Sequence, residues 1–362
     1  MGKHVSVTLG TIEPLAFLDD INPGKTALIC EGGGQRGIFT AGVLDEFLIC
    51  DFNPFDLMIG TSAGAQNLSA YICGQVGYAR RVITRYTTNS AFFNPLRFIR
   101  GGHLIDLDWL VETTANECPL RMQAGLDLLK SGREFYMGAS RSDDFTAEFL
   151  QPTDANSWLD MIRASSAIPG FYRTGVEFDG TLYHDGGISA AVPVEEAYRR
   201  GADTIVVIRT VPSQMYFTPE WLKRMTQWLE GDSNSLQRMA TMLKVHLNSY
   251  RKTQEFIENP PNDVQIFEIY PPVPLKSSAL GSKISSLNED YHTGRRCGRY
   301  FIAALGEAFN QNLPTFSRTL EQKIEDSPID IDMVSQEQED LVPAVMADTV
   351  IGGLQVNDNR DG

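Results

Sequence analysis

Two short apolar runs, Thr26-Ala27-Leu28-Ile29-Cys30 and Asp56-Leu57-Met58-Ile59, each stop at glycine and lead straight into a segment of helical character. No other feature narrows the fold as much. An apolar run of this length bounded by glycine reads as a buried strand. A strand that feeds a helix through a tight turn is the repeating unit of a parallel sheet. After the first run, residues 37–49 place Ile38, Val43, Leu44 and Phe47-Leu48 at helical intervals, and after the second, residues 62–73 are rich in small helix formers. The alternation continues with strands expected at 134–138 and 181–184, a helix at 194–200, and strands at 204–208 and 264–270. Helices dominate 216–258 and 287–309. The expected fold is α/β, with a mostly parallel central sheet sandwiched between helices and a helical C-terminal extension. The expected organisation is a lead-in at 1–25, an α/β core at 26–215, a helix-rich continuation at 216–315 and an acidic tail at 316–362.

Both glycine turns carry chemistry. Gly60-Thr61-Ser62-Ala63-Gly64 is G-x-S-x-G, placed after a strand and before a helix as a nucleophile elbow requires. Gly60 and Gly64 remove bulk from so tight a turn, and the hydroxyl of Ser62 stands over a helix N-terminus that favours negative charge. A serine capping that helix would show the same spacing. Gly32-Gly33-Gly34-Gln35-Arg36-Gly37 also satisfies the dinucleotide-binding pattern G-x-G-x-x-G. That reading requires an acid at the end of the next strand. Asp56 lies at the start of that strand, and its end is occupied by Gly60-Thr61-Ser62, so a nucleotide-binding oxidoreductase is disfavoured. An oxyanion hole fits better, because Gly32, Gly33 and Gly34 present backbone N–H groups with no side chains in the way.

Two further motifs are weak alone. Asp185-Gly186-Gly187 follows the strand at 181–184 and could be an ordinary Asp-Gly turn. Ala164-Ser165-Ser166-Ala167-Ile168-Pro169 suggests only a helix stop. Taken together and in order, G-G-G-x-R-G, G-T-S-A-G, A-S-x-A-x-P and D-G-G resemble the patatin-like phospholipases, in particular the stand-alone bacterial members, over about residues 26–212. The resemblance implies a Ser–Asp dyad without histidine that cleaves fatty-acyl esters of lipids. It assigns Ser62 as nucleophile, Asp185 as base, Gly32, Gly33 and Gly34 as oxyanion donors, and Arg36 as the residue that fixes their loop. Gly37, Gly60, Gly64, Gly186 and Gly187 become the turn glycines, and no cofactor or metal ion is called for. Glu31 stands where many relatives have Asp, a change with no evident bearing on the chemistry. A catalytically silent, lipid-sensing relative is the alternative.

Composition sets the remaining expectations. The net charge is −15, and residues 321–362 hold eleven acids against Lys323 and Arg360. An acidic chain lacks the cationic surface that nucleic acid requires. Five scattered cysteines form neither a disulfide framework nor a zinc site. Residues 1–20 lack the apolar core of a secretory signal, and no stretch approaches the roughly 18 apolar residues of a membrane span. The expected setting is the cytoplasm, and the expected partner is a lipid acyl ester. Trp221, Leu222, Met225, Trp228 and Leu229, then Leu236, Met239, Met242 and Leu243, form two stripes read first as core packing and second as a peripheral membrane contact. A triad would need His246 or His292, and His246 falls on the second stripe, as a packed helix residue would.

Overall fold

A computed structural model describes residues 2–9, 24–212 and 233–310. Six strands run parallel: β1 (Lys3–Ser6), β2 (Thr26–Cys30), β3 (Leu57–Thr61), β4 (Glu134–Arg141), β8 (Thr204–Ile208) and β9 (Gln265–Ile269). Three short strands, β5 (Ala147–Leu150), β6 (Val176–Phe178) and β7 (Thr181–Asp185), pair antiparallel at one side. The order across the sheet is β1-β9-β8-β2-β3-β4-β7-β6, with β5 against β4. The mostly parallel sheet of the sequence reading is therefore present, with an antiparallel margin.

Strand residues alternate between two apolar layers, as the two-residue period demands. Leu28, Cys30, Met58, Val206, Ile208, Phe267 and Ile269 face one layer, with Phe39, Phe47, Leu68, Tyr71, Phe301 and Phe309 from helices. Ala27, Ile29, Leu57, Ile59, Ile205, Val207 and Ile266 face the other, with Val194, Ala197, Tyr250 and Ile257. Both faces of the sheet are covered, which explains why its central strands read as unbroken apolar runs. Four of the cysteines are buried and none is paired, while Cys50 is exposed.

Helix α1 (Gly37–Ile49) is buried along almost its whole length, including Asp45 and Glu46. The helix α10 (Ile284–Asn310) supplies their partners. Arg295 and Arg299 reach Glu46 at 2.9 and 2.8 Å, and the Tyr291 hydroxyl donates to Asp45 at 2.8 Å. Burial raises the pKa of Asp45 to about 6, opposed by the Gly77 amide and the Tyr291 hydroxyl. The two helices approach so closely that a Cβ on Gly294 would lie 2.1 Å from the Phe39 carbonyl oxygen, and one on Gly42 would lie 2.2 Å from that of Tyr291.

The margin of the sheet was not foreseen. β1 contains Lys3 and His4 and has no apolar run to announce it, yet it pairs in parallel with β9. β5 and β6 are too short to show a period. Of the two predicted stripes, Met242 is buried against Phe145 and Ile188, which is core packing. Trp221 to Leu229 lie outside the described residues, as does the acidic tail. No helix among the described residues is long and apolar enough to cross a membrane.

The helix contact yields a stability prediction. Gly294→Ala should lower the unfolding free energy by about 1–3 kcal/mol, because the added methyl forces α1 and α10 apart. Urea denaturation followed by circular dichroism reads the loss directly, and an unchanged midpoint would show that the helices are not in this contact.

Candidate active site

Ser62 lies between β3 and α2 (Ala63–Ile72) at φ 54° and ψ −123°, a backbone conformation that residues with a Cβ rarely adopt. The turn tolerates no bulk on either side. A Cβ on Gly60 would come within 2.7 Å of the Gly64 carbonyl group, and one on Gly64 within 2.2 Å of the Cys30 carbonyl oxygen. The strained peptide is held from outside: the Ser62 N–H donates to Ser165 Oγ at 2.8 Å, and Ser165 Oγ in turn donates to the Gly138 carbonyl at 2.6 Å.

The acid is brought up by β4. One edge of β4 pairs Gly138 with Thr61 at the end of β3, and the next residue, Ala139, pairs with Asp185 at the end of β7. The other edge of the same residues pairs with Phe149 and Glu148 of β5, so β3 and β7 meet end to end on one side of β4. The backbone of Asp185 is fixed twice, by its own N–H donating to the Ala167 carbonyl at 2.9 Å and by Ser140 Oγ donating to its carbonyl at 3.0 Å. Asp185 Oδ1 accepts the Gly187 N–H at 2.7 Å. Burial raises its pKa to about 6, tempered by hydrogen bonding from the nearby Ser62 hydroxyl and from the Gly187 amide. Oδ2 is buried and completes no hydrogen bond of regular geometry, so the carboxyl that Ser62 approaches keeps one acceptor uncommitted.

The glycine loop stands opposite. A Cβ on Gly32 would lie 3.3 Å from Ser62 Cβ, and one on Gly33 would lie 2.7 Å from Thr210 Oγ1 and 3.2 Å from Arg36 Nη2. The Gly32 N–H is directed to the Ala191 carbonyl at 3.3 Å, whereas the amides of Gly33 and Gly34 meet no acceptor among the described residues. Of the three expected oxyanion donors, these two are the uncommitted ones. The Arg36 guanidinium thus lies beside the loop at Gly33. A Cβ on Gly37 would lie 3.0 Å from Ala63 Cβ, and one on Gly186 would strike the Gly138 carbonyl oxygen at 2.2 Å.

Beneath the loop lies a buried charge cluster that sequence reasoning missed. Glu31 accepts the Thr210 N–H at 2.5 Å, Arg209 Nε at 3.3 Å and the Tyr250 hydroxyl at 3.1 Å. Arg209 also donates to Glu268 at 2.6 Å, and His4 meets that carboxylate at 3.1 Å. Burial alone would lower the pKa of Arg209, but Glu31, Tyr250 and Glu268 raise it. A second tie comes from the segment before α10. The Gln35 N–H donates to the Ala279 carbonyl at 2.9 Å, Gln35 Oε1 accepts the Ser282 N–H at 2.8 Å, and Gln35 Nε2 reaches the Thr87 carbonyl at 3.2 Å.

Ser62 and Gly34 line one cavity. Its walls are mainly apolar, including Val82, Ile83, Leu107, Leu110, Ile162 and Leu280. The histidines are engaged elsewhere. His246 Nδ1 bonds the Gly187 carbonyl at 2.6 Å, His184 Nε2 meets Ser142 Oγ at 3.1 Å, and His103 accepts the Arg173 N–H at 2.9 Å. His292 is exposed beside Tyr291. Asp56 accepts the Thr26 N–H at 2.9 Å at the amino end of β2, the opposite end of the sheet from the glycine loop. No group of three or more potential metal-binding side chains occurs among the described residues.

A family model described as "Patatin-like phospholipase" matches residues 28–198, and one described as "Domain of unknown function (DUF6363)" matches residues 236–310. The chain is 62% identical over 314 residues to the uncharacterized protein YjjU of Escherichia coli (strain K12), covering 87% of each chain. Among solved structures, VipD from Legionella pneumophila aligns with a TM-score of 0.39 and 11% identity, over 80% of this chain and 67% of that one.

The raised pKa of Asp185 gives a prediction whose sign follows from proton linkage. Between the unfolded value of about 3.9 and the folded value of about 6, the folded chain binds the extra proton, so this group's contribution makes stability fall as pH rises through that window. Asp185→Asn should therefore be more stable than the parent at pH 8, by up to about 3 kcal/mol, and the gain should vanish near pH 4. Paired thermal melts at the two pH values measure this. A variant no more stable than the parent at pH 8 would count against a desolvated carboxylate.

Proposed function

The chain belongs to the patatin-like phospholipase family, and from that membership we propose that it is a serine hydrolase of lipid acyl esters, with Ser62 as nucleophile and Asp185 as general base. One observation carries the proposal above all: the strained Ser62 lines an apolar cavity together with Gly34, with the buried Asp185 carboxyl beside its hydroxyl and the Gly33 and Gly34 amides uncommitted. A fatty-acyl chain matches such walls, and the ester carbonyl at its head would reach the serine.

In this mechanism Asp185 takes the Ser62 proton as Oγ attacks the carbonyl carbon. The resulting oxyanion lies against the Gly33 and Gly34 amides, positioned before the reaction starts. Collapse expels the alcohol, which recovers the proton from Asp185, and leaves an acyl ester on Ser62. Water then attacks that ester, Asp185 accepts its proton, and collapse of the second oxyanion releases the fatty acid and returns the proton to Ser62. An ordinary carboxylate, with a pKa of about 3.9, is a weak base for a hydroxyl. Burial raises that of Asp185 to about 6, which brings it closer to the proton it must move.

Two measurements test this proposal. Incubation of a mixed lipid extract with the parent chain should release free fatty acids detectable by mass spectrometry, and Ser62→Ala should reduce the rate by at least about 10³-fold. No difference between the two would remove the serine from the chemistry. Since Asp185 must be ionised to act as base, kcat/KM should rise with pH and level off above an inflection near pH 6. A profile that falls through that range would exclude a carboxylate base.

A further inference from the structure

The chain is strongly acidic overall, yet between Asp56 and Asp106 it contains no Asp, Glu or Lys, while Arg80, Arg81, Arg85, Arg97 and Arg100 all fall in that interval. Part of the interval forms an excursion from the cavity wall. Phe93 and Ile105 form an isolated bridge that closes the base of residues 94–104, and Phe92 and Ile105 line the cavity itself. At its tip the short helix α4 (Pro95–Ile99) leaves Leu96 and Ile99 64% and 70% exposed. Among the described large hydrophobics only Val273 is exposed to the same degree.

The excursion is rigidly mounted. Asn94 caps α4 by accepting the Arg97 N–H at 2.9 Å, and Arg97 donates to the carbonyls of Ala91, Phe92 and His103 at 2.7, 2.8 and 2.8 Å. Arg97 also pairs with Asp106 at 3.2 Å. The other acid at the base, Asp108, is engaged by Arg163 at 3.3 Å and by the Tyr172 hydroxyl at 2.8 Å. Arg100 and Arg173 are exposed and have no carboxylate partner among the described residues. Arg173 lies over the Phe98 ring at 4.9 Å and donates to the Phe98 carbonyl at 3.3 Å, which holds its cation beside the aliphatic tip.

Two outward aliphatics flanked by two unpaired cations, on a stiff projection from an apolar cavity, match the boundary of an anionic bilayer: acyl chains below, phosphate above. We propose that residues 94–104, with Arg173, form the surface by which this chain docks on anionic phospholipid membranes. The role of the docked state rests on the hydrolase reading, since it would bring lipid esters to the cavity that Ser62 lines. The Trp221–Leu229 stripe, for which the sequence offers core packing first and a peripheral membrane contact second, lies outside the described residues and takes no part in this proposal.

The test is sedimentation of the full chain with vesicles of phosphatidylcholine alone or mixed with phosphatidylglycerol. The parent should bind the mixed vesicles preferentially, and added salt should weaken the binding. Leu96→Ser with Ile99→Ser, and separately Arg100→Glu with Arg173→Glu, should each lower the partition coefficient at least about tenfold. Labelling of Ser62 by a soluble serine-directed phosphonate should be unchanged in both variants, which shows that they remain folded around the site. Binding that is absent in the parent, indifferent to phosphatidylglycerol, or equal in parent and variants overturns the proposal. Membrane binding that follows the expected pattern without any labelling of Ser62 would leave the surface standing and remove the hydrolase reading instead.

Discussion

The structure depends on one strand serving two others along a single edge. β4 holds the end of β3 at Gly138 and the end of β7 at Ala139, so Thr61 and Asp185 have adjacent partners although 123 positions separate the serine after Thr61 from the acid. Backbone hydrogen bonds set that register, and a shift of one residue would turn the carboxyl to the other face. The segment at 164–167 braces both ends. Ser165 holds the Ser62 amide and the Ala167 carbonyl holds that of Asp185, so one helix terminus fixes the relative position of the two residues.

Both residues are kept in states that an isolated chain would leave. A residue with a Cβ in the conformation of Ser62 costs on the order of 1–3 kcal/mol, and a buried carboxylate costs a comparable amount at neutral pH. The surroundings over-determine them. Gly60 and Gly64 pack backbone against backbone, the Glu31–Arg209 pair is sealed beneath the glycine loop, and the sheet is covered on both faces. The region matched by the model of unknown function contributes to this frame. Its residues Ala279 and Ser282 clasp Gln35, Leu280 lines the cavity, and its long helix packs against α1 through Gly294.

Much of this was legible in the sequence because the central strands are apolar on both faces and stop at glycines. Those signals located β2, β3 and β8 and placed Ser62, Asp185 and the glycine loop at the ends of strands. The margin was not legible, since β1 carries charged residues and β5 and β6 are too short for a period to emerge. Ser165 falls in a motif that by itself signals only a helix stop, because a hydroxyl that bonds a distant amide leaves no local trace. Glu31 was judged neutral for the same reason: its partners Arg209, Thr210 and Tyr250 lie 178 or more positions away. Gln35 likewise meets Ala279 and Ser282 only through the fold.

The most direct test of the account is a crystal structure of the chain after reaction with a long-chain alkylphosphonate ester, which mimics the tetrahedral intermediate. The account predicts phosphorus bonded to Ser62 Oγ, the phosphonyl oxygen within hydrogen-bonding distance of the Gly33 and Gly34 amides, and the alkyl chain lying along Val82, Leu110 and Ile162. An adduct on another residue, or a phosphonyl oxygen turned away from the glycine loop, would contradict it.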